Sequence, residues 1–133
     1  MTLKKNHRLS LDKFINYALY DKNNGYYMKK IPFGNLGDFT TSPNISRLFS
    51  EMIAIWTVSY WKNLGSPKKF NLIDLGGGNG EMIKIMIESF KKFPFFFNCC
   101  KIYIHEISSK LIKIQKSKIK EKNIKWIKNF NKL

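Results

Sequence analysis

Asp74, Gly76, Gly78 and Gly80 form the pattern D-x-G-x-G-x-G inside the stretch Phe70-Asn-Leu-Ile-Asp-Leu-Gly-Gly-Gly-Asn-Gly80. An apolar, strand-like run (Leu72, Ile73, Leu75) enters a turn in which four of five positions are glycine. An amphipathic pattern leaves it, with Met82, Ile83, Met86, Ile87 and Phe90 on one helical face. Strand, glycine turn and helix open a nucleotide-binding α/β unit. The spacing narrows the ligand. A dinucleotide fingerprint needs a third glycine where Glu81 stands, and a phosphate-binding P-loop needs a lysine that the turn lacks. Without Cβ atoms, Gly76 and Gly78 let the backbone turn tightly and approach a ligand closely. Asp74, at the carboxyl end of the strand, can face a cationic group. A glycine turn with no ligand is the plainer alternative, but four glycines lose more chain entropy than a plain turn justifies.

A second acid stands in the matching place. Glu106 ends the strand Ile102-Tyr-Ile-His-Glu106, and ligands of open parallel sheets bind at the carboxyl ends of strands. It follows the glycine turn by roughly 20 residues or more, the offset of an acid that accepts hydrogen bonds from ribose hydroxyls. A solvated glutamate at a strand–helix junction is the alternative. His105 points to the other face of an alternating strand, which favours a structural histidine over a catalytic base.

These groups need elements to hold them. Ser10 can cap a first helix carrying Leu11, Phe14, Ile15, Ala18 and Leu19, which stops at Asp21-Lys-Asn-Asn-Gly25. Tyr26-Tyr-Met28 suits a short extended piece. A loop with Pro32, Gly34, Asn35 and Gly37 follows. Ser42 and Pro43 are the N-cap and first residue of a long helix, with Leu48, Phe49, Met52, Ile53, Trp56 and Tyr60 on one broad face, ending near Asn63 to Gly65. Strand one is expected at 70–75, its helix at 81–92, a second helix from near Ser108 with Leu111, Ile112, Gln115 and Ile119 on one side and Lys on the other, and a third strand at Ile124–Ile127. Packing under a loop is expected for Phe95, Phe96 and Phe97. The fold class is α/β: a helical cap segment over 1–66 and a partial Rossmann-like parallel sheet over 67–133.

The chain has 133 residues and a formal net charge of +15, room for one small domain. Nearly all the positive charge is Lys, spread over several segments; only Arg8 and Arg47 are arginines. Weak phosphate attraction is expected, but no specific nucleic-acid partner. Cys99 and Cys100 are adjacent, which suits buried free thiols in a reducing compartment rather than a disulfide or a zinc site. The segment Met1 to Arg8 is basic and short, and no stretch approaches membrane-span length. The expected location is the cytoplasm, with the mitochondrial matrix as the alternative.

Taken together, the D-x-G-x-G-x-G element resembles the first motif of class I S-adenosyl-L-methionine (SAM) methyltransferases. Nearly the whole chain resembles the MidA-like SAM-dependent methyltransferases, a family that includes a mitochondrial complex I assembly factor acting on a protein arginine. Leu19-Tyr-Asp-Lys-Asn-Asn-Gly-Tyr-Tyr27 is similar to the family's early Gly-Tyr-Tyr segment. Gly37-Asp-Phe-Thr-Thr-Ser-Pro43 is similar to its G-D-F-x-T-S-P-E motif, Phe49 to Trp56 to the helix that follows, and Glu106-Ile-Ser108 to its E-x-S-P element. Four positions depart from the pattern. Asn44 replaces an acid, Gly77 a proline, Asn79 a basic residue, and Ser109 a proline.

The resemblance implies SAM as cofactor, with Asp74 facing its amino group, Glu106 its ribose, and Asp38, Thr41 and Ser42 near it. It implies a protein arginine as acceptor, for which Asp38 and Glu51 are the best remaining candidates among the acids, Asp38 only as a shaper of the pocket, and it names no catalytic base. Family members are longer and have seven strands, of which this chain supplies one, two and the third. It therefore reads as an N-terminal portion, with an unpaired edge on strand one that a second polypeptide could complete. A remnant without catalytic activity, or a plain cofactor-binding module, is the alternative reading.

Overall fold

The structure, a computed structural model, describes residues 8–34 and 37–130. The basic start of the chain before Arg8, and Asn35 of the glycine-containing loop, lie outside the described residues. The chain divides into two compact units, Met1–Ile31 and Pro32–Leu133.

The first unit holds α1 (Leu11–Tyr20) and α2 (Tyr26–Lys29). Ser10 occupies the N-cap position of α1 without a side-chain cap bond. Asp21 ends the helix, its Oδ1 accepting from the backbone N–H groups of Asn23 (3.1 Å) and Asn24 (2.8 Å). The expected extended piece at Tyr26–Met28 is instead one helical turn, because the N–H groups of Met28 and Lys29 both return to the Gly25 carbonyl at 3.0 Å. That turn stacks Tyr27 on Tyr20 at 5.7 Å.

The second unit runs α3 (Ser42–Ile45), α4 (Arg47–Asn63), β1 (Phe70–Leu75), α5 (Glu81–Phe90), α6 (Pro94–Cys99), β2 (Cys100–His105), α7 (Ser109–Lys118) and β3 (Ile124–Ile127). The strands are parallel in the order β1-β2-β3, with Leu72 level with Ile102 and Ile102 with Ile124. An amphipathic helix follows each of β1 and β2, as the sequence patterns require. The expected boundary at 66/67 does not coincide with the division by packing. Residues 32–66 go with the sheet because α4 packs along α5.

Two expectations about the long helix are corrected. It does not start at Ser42. Thr41 is the N-cap residue of the short α3, Pro43 lies in its first turn, and Ser46 breaks the run in an extended conformation (φ −139°, ψ 121°) before α4 begins. Serine bonds readily to nearby backbone in non-helical forms and favours such junctions. The buried face of α4 is also not the expected one. Ser50, Ala54, Val58 and Trp61 are buried, whereas of the expected face Leu48, Phe49, Met52, Trp56 and Tyr60 are exposed and Ile53 is partly buried against the core. Small residues four apart let two helix backbones approach closely, which larger side chains would prevent.

The core joins Ile83, Met86, Ile87 and Phe90 of α5 to Ile102 and Ile104 of β2. The phenylalanine run divides. Phe96 is buried against Phe90 (4.7 Å), Phe70 (5.3 Å) and Trp61 (5.5 Å), but Phe95 is exposed rather than packed. Cys99 and Cys100 are free. Burial pushes the Cys100 thiol up to about 12, so it is an inert core group, while Cys99 is only half-buried. Among the described residues, no strand pairs with the far edge of β1, and Leu75 at its end is exposed.

Candidate functional site

The parallel ladder continues beyond the strand ends. Gly76 N–H donates to the His105 carbonyl at 2.9 Å, and Glu106 N–H donates to that of Ile127 at 3.1 Å. This draws the glycine turn and Glu106 together at the carboxyl edge of the sheet. Gly76 (φ +70°), Gly78 (φ +52°) and Gly80 (φ +78°) are all left-handed, a conformation that costs other residues about 1–2 kcal/mol. A Cβ on Gly76 would meet nothing within 4 Å. At Gly77 it would lie 2.9 Å from Ile104 Cγ2 and 3.0 Å from Asp74 Oδ2, so this turn is packed for glycine.

A cleft of about 180 Å3 opens beside the turn, lined by Asp74, Gly76, Gly78, Phe33, Thr41 and Met82 among others. Asp74 is only 9 % exposed, and its Oδ2 has no hydrogen-bond partner. Burial, with the nearby charge of Glu106 adding to it, raises its carboxyl to about 6. A buried acid with an orphaned oxygen, on a residue that lines a cleft walled by glycine, is suited to a cationic hydrogen-bond donor from outside the chain.

Glu106 is 6 % exposed and does not line the cleft surface. Its Oε1 accepts from the Ser108 N–H at 2.8 Å, and its Oε2 lies 3.5 Å from Gln115 Nε2. Each carboxylate oxygen keeps a second lone pair for a hydroxyl. Ser108 also caps α7, with Leu111 N–H at 3.5 Å from its Oγ. His105 stacks on Phe130 at 4.8 Å, in keeping with a structural role.

The other expected residues divide. Thr41 lines the cleft. Its Oγ1 accepts from Asn44 Nδ2 at 2.8 Å, and Asn44 Oδ1 accepts from Asn79 Nδ2 at 2.9 Å. Asn79 Oδ1 in turn accepts from the Glu81 N–H at 3.2 Å. The segment around Thr41 is thereby tied to the glycine turn. Ser42 and Asp38 are exposed and outside the cleft lining. Gly80 holds the turn from behind, facing Gln115 rather than the cleft. Glu51 is paired with Arg47 Nε at 2.8 Å, while Arg47 Nη2 reaches Glu88 on α5 at 2.7 Å. Sequence reasoning missed the polar roles of Gln115, Asn44 and Asn79. Among the described residues, no cluster of three His, Cys, Asp or Glu could hold a metal, and no helix is long and apolar enough to cross a membrane.

Comparison with known proteins adds a family. Residues 52–133, more than half of the chain, match a family described as "Putative S-adenosyl-L-methionine-dependent methyltransferase". The chain is 33% identical over 124 residues to the protein arginine methyltransferase NDUFAF7, mitochondrial, of Xenopus tropicalis, covering 92% of this chain and 29% of that protein. It is 41% identical over 81 residues to the Drosophila melanogaster homolog, covering 61% of this chain and 18% of that one. The crystal structure of a Burkholderia thailandensis protein bound to S-adenosyl-homocysteine has the same fold over 92% of this chain and 33% of its own, with a TM-score of 0.72 and 16% identity. The chain thus spans less than a third of the length of the curated relatives it matches.

Proposed function

Because the chain belongs to the S-adenosyl-L-methionine-dependent methyltransferase family, we propose that its cleft binds the methionine end of SAM and serves methyl transfer to a protein arginine. The observation that carries the cofactor reading is the orphaned, buried Oδ2 of Asp74 beside a turn that a ligand can approach. Asp74 would receive the ligand's amino group. Gly76 and Gly78 would let the ligand pass close to the backbone, and Glu106 would accept from the ribose hydroxyls. Thr41 would contribute to the cleft wall, with Ser42 at the start of α3 and Asp38 in the preceding loop expected near the ligand. When bound, SAM supplies the reactive methyl group. The residues here bind and align it, and none is assigned as a catalytic base.

The acceptor and setting rest on the relatives. The names of the vertebrate and insect proteins support a protein arginine acceptor, and the family resemblance supports a link to respiratory complex I assembly. Those names also favour a mitochondrial location over the cytoplasmic expectation.

Size limits what this chain does alone. Ligand pockets usually enclose roughly 300–1,000 Å3, against about 180 Å3 here. We therefore propose that further polypeptide completes the wall along the open edge of β1. The exposed apolar side of α4 and that unpaired edge favour association. In sedimentation velocity the chain alone is expected to run as a distribution above the monomer. A single monomer peak across a tenfold or so range of concentration would count against the incomplete-wall reading.

The cofactor reading is tested by thermal unfolding with and without SAM, in parallel with Gly78→Val. Ligand at about ten times its Kd adds roughly 1.4 kcal/mol, a rise of several degrees in a domain of this size. That rise should vanish in Gly78→Val. An unchanged melting temperature at millimolar SAM would remove the cofactor reading and leave the inactive-remnant alternative.

A further inference from the structure

We infer that Gln115 is a positioning residue that aims the Glu106 carboxylate and so sets the preference for ligands carrying ribose hydroxyls. The inference rests on the cofactor reading above and extends it to a residue outside the ligand-contact motifs.

Gln115 lies on the inward face of α7 and is fully buried, at 0 % exposure. A buried amide is costly unless satisfied at both ends, and a leucine would fill the space without that demand. Both ends are satisfied. Trp126 Nε1–H on β3 donates to Gln115 Oε1 at 2.9 Å. Gln115 Nε2 donates to the Gly78 carbonyl at 2.8 Å and faces Glu106 Oε2 at 3.5 Å. An indole nitrogen only donates, so Trp126 fixes which end of the amide carries oxygen. With the amide unable to flip, its two N–H groups must point at the glycine turn and at Glu106. One side chain thereby ties β3, the turn and the acid at the end of β2 to a single geometry.

The contact to Gly78 is short and the contact to Glu106 is long. Gln115 therefore sits firmly on the turn and holds Glu106 loosely, leaving the carboxylate free to accept from a ligand while biasing its direction. Without the amide, Glu106 Oε2 would lose the only hydrogen-bond donor it has among the described residues. It would keep its Oε1 bond to the Ser108 N–H, about which it could swing.

The test uses the full chain, with S-adenosyl-homocysteine and its 2′-deoxy analogue as probes, and compares Gln115→Met, Trp126→Phe and Glu106→Gln. Affinities come from calorimetry and fold integrity from melting temperature. Hydrogen bonds to a charged acceptor correspond to a preference of about tenfold or more for the ribosyl ligand in the parent chain. Gln115→Met should reduce that preference to within about twofold while changing the affinity for the deoxy analogue little, and Trp126→Phe should reduce it part of the way. Equal losses for both ligands, with the preference intact, would show that Gln115 only supports the fold and would overturn the inference. Should Gln115→Met not fold, an undiminished preference in Trp126→Phe would overturn it equally. A preference that survives Glu106→Gln, or is absent from the parent chain, would instead remove the ribose role of Glu106. Failure to bind either ligand would remove the cofactor reading.

Discussion

Asp74→Asn is expected to make the empty chain more stable at neutral pH and to cost it most of its affinity for SAM. The carboxyl of Asp74 is raised to about 6 in the folded chain, first by burial and then by the charge of Glu106. In an unfolded chain the same group titrates near 3.8. Between those values the folded state holds more protons, so stability falls as pH rises. The favourable contribution is complete below about pH 4, is lost through about pH 6, and stays lost above it. A gap of about two pKa units corresponds to roughly 3 kcal/mol as an upper figure. Asparagine has the same shape and no charge, and it removes that slope. Chemical denaturation should therefore show Asp74→Asn ahead of the parent by up to about 3 kcal/mol at pH 8 and level with it near pH 4. Calorimetry at pH 8 should show SAM binding weakened by about ten- to a hundredfold, the value of a charge-assisted hydrogen bond. Binding by the parent should itself weaken below about pH 6, as protonation removes the anion the ligand needs. A variant less stable than the parent at pH 8 would mean that Asp74 already has a partner and is not held in reserve for a ligand.

What could be read in advance follows from how local each signal is. β1, the glycine turn and α5 were legible because their determinants lie within 21 consecutive residues, Phe70 to Phe90, and each pattern has one period. β3 at Ile124–Ile127 and the start of α7 near Ser108 were legible for the same reason. The face of α4 was not. Periodicity marks where the large apolar side chains are, and Leu48, Met52, Trp56 and Tyr60 dominate that signal. Close approach to α5 selects the small row Ser50, Ala54 and Val58 instead, and nothing in α4 alone shows which row meets a neighbour. The polar bracing of the site was hidden by distance. Gln115 reaches Gly78 across 37 positions and Asn79 reaches Asn44 across 35. The Asn44–Asn79 bond also changes the meaning of two departures from the family pattern. The residues that stand in place of an acid and a base touch each other and link α3 to the turn through a neutral hydrogen bond.

The glycines of the turn should separate folding from binding. Gly80→Val is expected to be strongly destabilising. A Cβ there would lie 3.1 Å from Gln115 Cγ, 3.3 Å from Gln115 Cα and 3.4 Å from Ile119 Cδ1, at φ +78°. Left-handed strain of about 1–2 kcal/mol adds to overpacking of about 1–3 kcal/mol. The sum is a large share of the roughly 5–15 kcal/mol that holds a domain together. Gly76→Ala has similar strain, at φ +70°, but no atom within 4 Å of the added methyl group. It should cost only about 1–2 kcal/mol of stability. Gly76 lines the cleft through which the ligand would pass, so SAM affinity should fall well beyond that stability change. Denaturation and calorimetry on the two variants decide the matter. Severe unfolding in Gly80→Val beside a folded, non-binding Gly76→Ala places the ligand on the open side of the turn and Gln115 on its packed side. A Gly76→Ala chain that binds SAM as well as the parent would put the ligand elsewhere, and the left-handed conformation of Gly76 would then serve only the turn.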